Sequence, residues 1–257
     1  MSKVRLKQRL SQPSQCFGVF SSISDVVAIE QLALAGYDFI IFDLEHTLHS
    51  LNDVEKVLLA ARVAELEVLV RIPKGRYDLI APLLDAGASG IVSAMVETPE
   101  QAQELVERCY YSPLGTRGLN STRLNGYATK ELAKSLIEAN KQTVVVAMIE
   151  TQLGVENALQ IASTLGIDAV LEGAADLSQS LGVAWQTQHP SVRAAITQIA
   201  QACEHAQSTF MAIPRTTEAV TLWQQSGVSN FVLGDDRSIM RNAHKANIAQ
   251  FKKELEQ

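Results

Sequence analysis

Residues 143–172, TVVVAMIETQLGVENALQIASTLGIDAVLE, decide the fold. Thr143–Ile149 is an almost unbroken apolar run and Ala169–Glu172 is a second; Val155–Thr164 between them carries the period of an amphipathic helix. Apolar residues at every position suit a strand covered on both faces, and two such strands joined by a helix make a parallel crossover unit. The same pattern continues outward in both directions. Further apolar runs fall at Cys16–Ser21, Phe39–Asp43, Val68–Arg71, Gly90–Met95, Phe210–Ile213 and Phe231–Leu233. Helical patterns alternate with them at Val26–Ala35, Asn52–Ala64, Tyr77–Ala86, Pro99–Cys109, Val192–Ala206, Glu218–Gln225 and from Ser238 onward. Gly36, Gly87, Gly166 and Gly227 each follow a helical pattern where a left-handed turn stops the helix. Eight strand–helix units predict an α/β fold, a (β/α)8 TIM barrel, with residues 1–257 as a single domain. A doubly wound open sheet would require a glycine-rich phosphate turn after the first strand, and Ser21-Ser22-Ile23-Ser24 supplies none.

Composition narrows the function classes. The 257 residues are 47% hydrophobic and 19% charged, as in an ordinary globular protein. A net charge of −6 without a local basic patch argues against a nucleic-acid partner. Every apolar stretch is broken by charge or glycine well before the ~18 residues of a bilayer span, so no membrane partner is expected. Cys16, Cys109 and Cys203 are odd in number and free of C-x-x-C spacing, which argues against disulfides and thiolate zinc and suits a reducing, cytoplasmic setting. Lys3, Arg5, Lys7 and Arg9 predict a basic amphipathic N-terminal arm rather than a signal peptide. Ser112–Tyr127, with Pro113, Gly115, Gly118 and Gly126, is the longest irregular stretch, and a loop of that length in a compact domain is expected to be functional.

In a (β/α)8 barrel the active site forms at the carboxyl ends of the strands. Strand two runs into Asp43-Leu44-Glu45-His46, strand three ends in Arg71, strand five in Glu150, strand six runs into Glu172 and Asp176, and strand eight into Asp235-Asp236. Each alone has a structural explanation: Asp176 and Asp236 suit helix caps, Arg71 an ion pair, and a lone His46 a packing role. Their convergence at one end of one barrel favours chemistry. Glu150 and Asp176, with no cysteine nearby, make a hard-oxygen pair suited to Mg2+ or Mn2+. An arginine opposite offers a forked donor to a carboxylate or a developing enolate, and a histidine moves a proton near neutral pH. That combination suits enolate formation from a 2-oxo acid.

The segments Asp43–His46, Arg71-Ile72-Pro73, Tyr111–Gly118, Ile149-Glu150 and Gly173–Gly182, in this order, resemble the HpcH/HpaI aldolase family along nearly the whole chain. The resemblance implies a phosphoenolpyruvate/pyruvate-type barrel with an extended C-terminal helix, assembled as a homo-oligomer, usually a hexamer. It implies that Glu150 and Asp176 hold the divalent metal (Mg2+ or Mn2+) and that Arg71 stabilises the enolate. His46, oriented by Asp85, is then the base together with water held by the ion. Gly173, Ala174, Ala175 and Ser178 line the substrate carboxylate, with Asp43 and Glu45 in support. Two positions depart from the family pattern: Met148 stands where Gln is usual, and Ala174 where Pro is usual.

Three functions follow as expectations. The first is a metal-dependent carbon–carbon lyase, an aldolase that makes or cleaves hydroxy 2-oxo acids through a pyruvate or oxaloacetate enolate. The second is a citrate synthase-like condensation of oxaloacetate with acetyl-CoA for siderophore biosynthesis, for which Arg123 suits a substrate with more carboxylates. The third is a ligand-binding barrel without chemistry. A phosphosugar isomerase is disfavoured because Asp235 and Asp236 put negative charge where that class binds phosphate. The terminal segment carries more apolar surface than one barrel seam requires, which predicts packing against a neighbouring subunit.

Overall fold

The computed structural model describes residues 5–255. Its strands are β1 (Cys16–Ser21), β2 (Phe39–Asp43), β3 (Glu67–Ile72), β4 (Gly90–Ser93), β5 (Val144–Ile149), β6 (Ala169–Glu172), β7 (Thr209–Ala212) and β8 (Asn230–Asp235). Each pairs in parallel with the next and β8 returns to β1, closing the expected barrel. The helices are α1 (Leu6–Leu10), α2 (Val26–Leu34), α3 (Leu51–Val63), α4 (Ile80–Ala86), α5 (Pro99–Cys109) and α6 (Leu132–Gln142). They continue with α7 (Gln152–Glu156), α8 (Ala158–Ala162), α9 (Ala174–Ser180), α10 (Pro190–His205), α11 (Thr217–Gln225) and α12 (Asp236–Leu255).

Strand alternation sorts the apolar side chains into two cores. Phe39, Ile41, Leu69, Val92, Val144, Val146, Met148, Ala169, Leu171, Met211 and Val232 fill the barrel interior. Ile40, Val68, Val70, Ile91, Val145, Ala147, Val170 and Phe210 face the helices. Continuous runs of β-branched residues were therefore the right signature, because both faces are covered. Local chemistry starts the helices: Asp25 accepts from Val27 N–H, Ser50 and Asp53 form a capping box, and Thr98 caps α5 with Pro99 in its first turn. Gly36, Gly87, Gly166 and Gly227 all adopt positive φ, and Gly87 is the left-handed cap of α4.

Four differences from the sequence reading have local causes. Strand β4 stops at Ser93 rather than Met95, since Met95 turns to φ 53° and gives its N–H to Glu150 at 2.9 Å. Helix α6, absent from the sequence reading, is amphipathic but buries only Ala139. Helix α9 is only seven residues long and reads as a turn. From Arg5 onward the basic arm folds into α1, whose Leu6 and Leu10 are buried in the interior core while Lys7 pairs with Asp168 at 2.9 Å and Arg9 with Asp38 at 2.7 Å; Lys3 lies outside the described residues. This arm closes the amino-terminal end of the barrel. No helix among the described residues is long and apolar enough to cross a membrane.

Helix α12 does not behave as an eighth covering helix. Beyond Ser238 every described residue is exposed, including Ile239, Met240, Ile248, Phe251 and Leu255. Only its first turn is held, through Asp236, which accepts from Ser21 Oγ and from the N–H groups of Ser22 and Ile23.

If the N-terminal arm seals the interior, Leu10→Ala leaves a cavity and should lower stability by about 2–5 kcal/mol. The same change at fully exposed Leu48 should stay within about 0.5 kcal/mol. Urea unfolding followed by circular dichroism measures both.

Candidate active site

The interior parity that buries Phe39 and Ile41 on β2 also turns Asp43 inward, and on β3 it turns Arg71 inward above Leu69. The two meet in register across β2 and β3. Arg71 Nε donates to Asp43 Oδ1 and Nη2 donates to Oδ2, each at 2.8 Å. Its third nitrogen, Nη1, lies 3.4 Å from Glu45 Oε2, and the guanidinium sits 4.7 Å over the ring of Phe20. Burial works against the charges of both Asp43 and Arg71, but their mutual bond outweighs it: the Asp43 pKa falls and the Arg71 pKa rises. Asp43 also accepts from the N–H groups of Glu45 and His46, which fixes the loop after β2.

Glu150 continues β5 into the same mouth. Its Oε2 accepts from Met95 N–H, while Oε1 has no hydrogen bond among the described residues. Burial pushes its pKa up to about 7; the Met95 bond and Arg71 oppose the rise, and the charges of Glu45 and Asp176 add to it. Burial likewise raises Glu45, against the pull of Arg71. Asp176, on the first turn of α9, makes no hydrogen bond or ion pair among the described residues. Gly173 brings β6 against Glu150 so closely that a Cβ there would stand 2.4 Å from Glu150 Cγ. Only glycine permits that approach. An open carboxylate and a buried one whose charge is costly when uncompensated are hard-oxygen donors that fit a divalent cation. Among the described residues no group of three or more His, Cys, Asp or Glu side chains is placed to hold an ion. The three cysteines are buried and free, and burial raises their thiol pKa values.

The structure thus brings Asp43, Glu45, Arg71, Glu150 and Asp176 into one charge-coupled cluster, with His46 at its rim. The His46 ring is exposed and lies 3.7 Å from Glu45 Oε2. Other expected members are elsewhere. Asp85, read as the partner of His46, sits at the end of α4 and pairs with Arg117. Arg123 pairs with Glu55 at 2.7 Å and donates to Ala86 O. Both arginines line a recess of about 880 Å³ between α3, α4 and α6 that contains none of the cluster. The long 112–127 segment therefore serves the outside of this chain's barrel, because its short turn at 123–125 packs on α4 and α6 rather than over the mouth. Ser178 is fully buried and donates to Ala175 O, so its hydroxyl is satisfied within α9. Met148 packs inside the barrel, below the cluster. Asp235 accepts from Ser238 N–H, so it acts as the start of α12.

One residue escaped the sequence reading: Arg215, the partner of Glu172. Glu172, fully buried, accepts from Ala174 and Ile213 N–H and from both terminal nitrogens of Arg215, at 2.7 and 2.9 Å. Arg215 follows β7 with the inward parity of Met211 and Ile213. The rule that selected residues beyond the other strand ends points to it as well.

A parallel barrel whose mouth carries these carboxylates and one buried arginine defines a class of enzyme barrels, and the sequence comparison narrows it. The model of the HpcH/HpaI aldolase/citrate lyase family matches residues 16–243, and the chain belongs to that family. It is 35% identical over 192 residues to a hydroxypyruvate/pyruvate aldolase of Roseobacter denitrificans, covering 74% of each chain. It is 31% identical to a 5-keto-4-deoxy-D-glucarate aldolase of Escherichia coli over 97% of both. Among solved structures, the citrate synthase SbnG superposes with a TM-score of 0.92 at 34% identity, over 99% of this chain and 100% of that one.

The raised Glu150 sets a pH dependence of known sign. In chelator-treated protein the native state keeps a proton on Glu150 that the unfolded chain has already lost, so stability should fall as pH rises from about 5 to about 8. Glu150→Gln should remove the Glu150 part of that trend and be the more stable form at about pH 8, by up to about 3 kcal/mol. Urea unfolding at the two pH values reads the difference.

Proposed function

We propose that this chain is a divalent-metal-dependent carbon–carbon lyase that cleaves or forms a hydroxy 2-oxo acid through an enolate. The observation that carries the reading is Arg71, buried and locked on Asp43, with Nη1 3.4 Å from the Glu45 carboxylate and the charge of Glu150 acting on it. A guanidinium fixed this way is already oriented for a developing oxyanion and requires no reorganisation when charge appears. Glu150 and Asp176 would hold the Mg2+ or Mn2+ ion, which when bound polarises the keto group of the substrate as a Lewis acid. The backbone at Gly173–Ala175 lies beside Glu150 and would line the substrate carboxylate.

In the cleavage direction the C4 hydroxyl gives its proton to the exposed imidazole of His46, with Glu45 beside it to balance the charge. The C3–C4 bond breaks, an aldehyde departs, and the electron pair stays on the 2-oxo fragment as an enolate facing Arg71. Protonation at C3 completes the reaction. A second reading rests on the superposition with the citrate synthase SbnG. Here the methyl carbon of acetyl-CoA adds to the C2 keto carbon of oxaloacetate, and water releases CoA from the thioester. The ligand-binding barrel without chemistry is disfavoured because the cluster is intact. Three buried free thiols agree with a cytoplasmic setting.

Exchange of the pyruvate methyl protons into deuterated water, followed by NMR, tests the enolate directly. Exchange should require Mg2+ or Mn2+ and stop in chelator. Arg71→Lys, which keeps charge but loses the fork, should slow it by about 10²–10³-fold. Normal exchange in that variant would overturn the assignment. Release of CoA from oxaloacetate plus acetyl-CoA would instead select the second reading.

We also propose that α12 packs on another copy of this chain, in a hexamer. Its apolar residues are exposed along a helix about 30 Å long that its own barrel holds only at the first turn. Truncation after Ile239 should give a monomer by light scattering, and a full-length protein that is monomeric at micromolar concentration would overturn the idea.

A further inference from the structure

The barrel mouth contains two arginines, and each exposes a different edge. Arg71 spends its Nε–Nη2 edge on Asp43. Arg215 does the reverse: Nη1 and Nη2 grip the two oxygens of Glu172 end-on, and Nη1 also donates to Ile213 O. A guanidinium has five N–H groups, so the Nε–H and the outer Nη2–H of Arg215 remain, side by side on one edge. They have no partner among the described residues, and Nε is not a sealed polar atom. The side chain is 24% exposed, whereas its anchor Glu172 is buried. Such an edge is spaced for the two oxygens of one carboxylate.

Its position follows from the turn that it braces. Glu172 accepts from Ala174 N–H and precedes Gly173, which touches Glu150; Asp176 lies four residues beyond Glu172. Arg215 therefore stands on the β6–β7 side of the carboxylate pair, beyond the turn rather than in the cluster that contains Arg71. Glu172 neutralises its charge without covering its free edge.

We infer that Arg215 is a specificity-determining residue whose free Nε–Nη2 edge receives a second carboxylate, so that the substrate is a 2-oxo dicarboxylate rather than a monocarboxylate such as pyruvate. The inference rests on the 2-oxo acid reading above and adds the group at the far end of the molecule. Glu172 is a positioning residue: it holds the guanidinium end-on and leaves the other edge free.

Calorimetric titration of the full chain in Mg2+ with oxaloacetate and with 2-oxobutyrate, which replaces the distal carboxylate by a methyl group at equal carbon number, tests it. The wild type should bind oxaloacetate at least about 10-fold more tightly. Arg215→Gln should lose about 10–100-fold for oxaloacetate and less than about twofold for 2-oxobutyrate. Because that change leaves Glu172 buried and unpaired, the double variant Glu172→Gln/Arg215→Gln, which removes both charges, is titrated as well and should show the same selective loss. An undiminished oxaloacetate preference in either variant, or equal losses for both ligands, would overturn the inference. Equal binding of both ligands by the wild type would overturn it while leaving the 2-oxo acid reading intact. Binding of neither would remove both.

Discussion

The bidentate bond between Arg71 and Asp43 is the constraint around which the mouth is arranged. A guanidinium buried to this degree is tolerated only with a carboxylate in ideal geometry, and breaking such a pair leaves an uncompensated charge. Asp43 meets the requirement with four contacts, two to Arg71 and two to the N–H groups of Glu45 and His46. The same oxygens that neutralise the arginine therefore set the course of the loop that carries Glu45 and His46. Charge compensation and the course of the loop that carries His46 are one interaction.

On the opposite side of the mouth the logic is inverted. Among the described residues Glu150 has a single backbone donor and an unpaired oxygen, and burial makes its ionised form costly. That is unfavourable for stability alone and favourable for holding a cation, since the desolvation already incurred strengthens attraction to any ion that arrives. The glycine at 173 makes the geometry possible by letting β6 approach where a side chain would collide. Glu172 then fixes the turn from beneath, using the buried end of Arg215 as its counter-ion. The amino-terminal end of the barrel lacks such tension: Leu6 and Leu10 plug it, and Lys7 and Arg9 pair with Asp168 and Asp38. Stability is concentrated at one end and uncompensated charge at the other, as expected for a barrel that works at its carboxyl-terminal face.

Sequence alone determined the barrel, because two-sided burial writes itself into continuous apolar runs and glycine stops, and those signals are local. It also determined that Asp43, Arg71, Glu150 and Asp176 share one end, since strand direction in a parallel barrel puts every strand's carboxyl end on the same face. It did not determine partners. Asp85 meets Arg117, Arg123 meets Glu55, and Ser178 turns into its own helix, because contacts between helices depend on packing angles that no spacing encodes. The Glu172–Arg215 pair joins the end of β6 to a residue 43 positions on, in the loop after β7, and its open edge depends on which nitrogens the carboxylate takes. The exposed face of α12 is visible as an apolar pattern, but whether its own barrel covers it was decided only by the tertiary structure, where the closing seam of β8 and β1 holds the helix by its first turn alone.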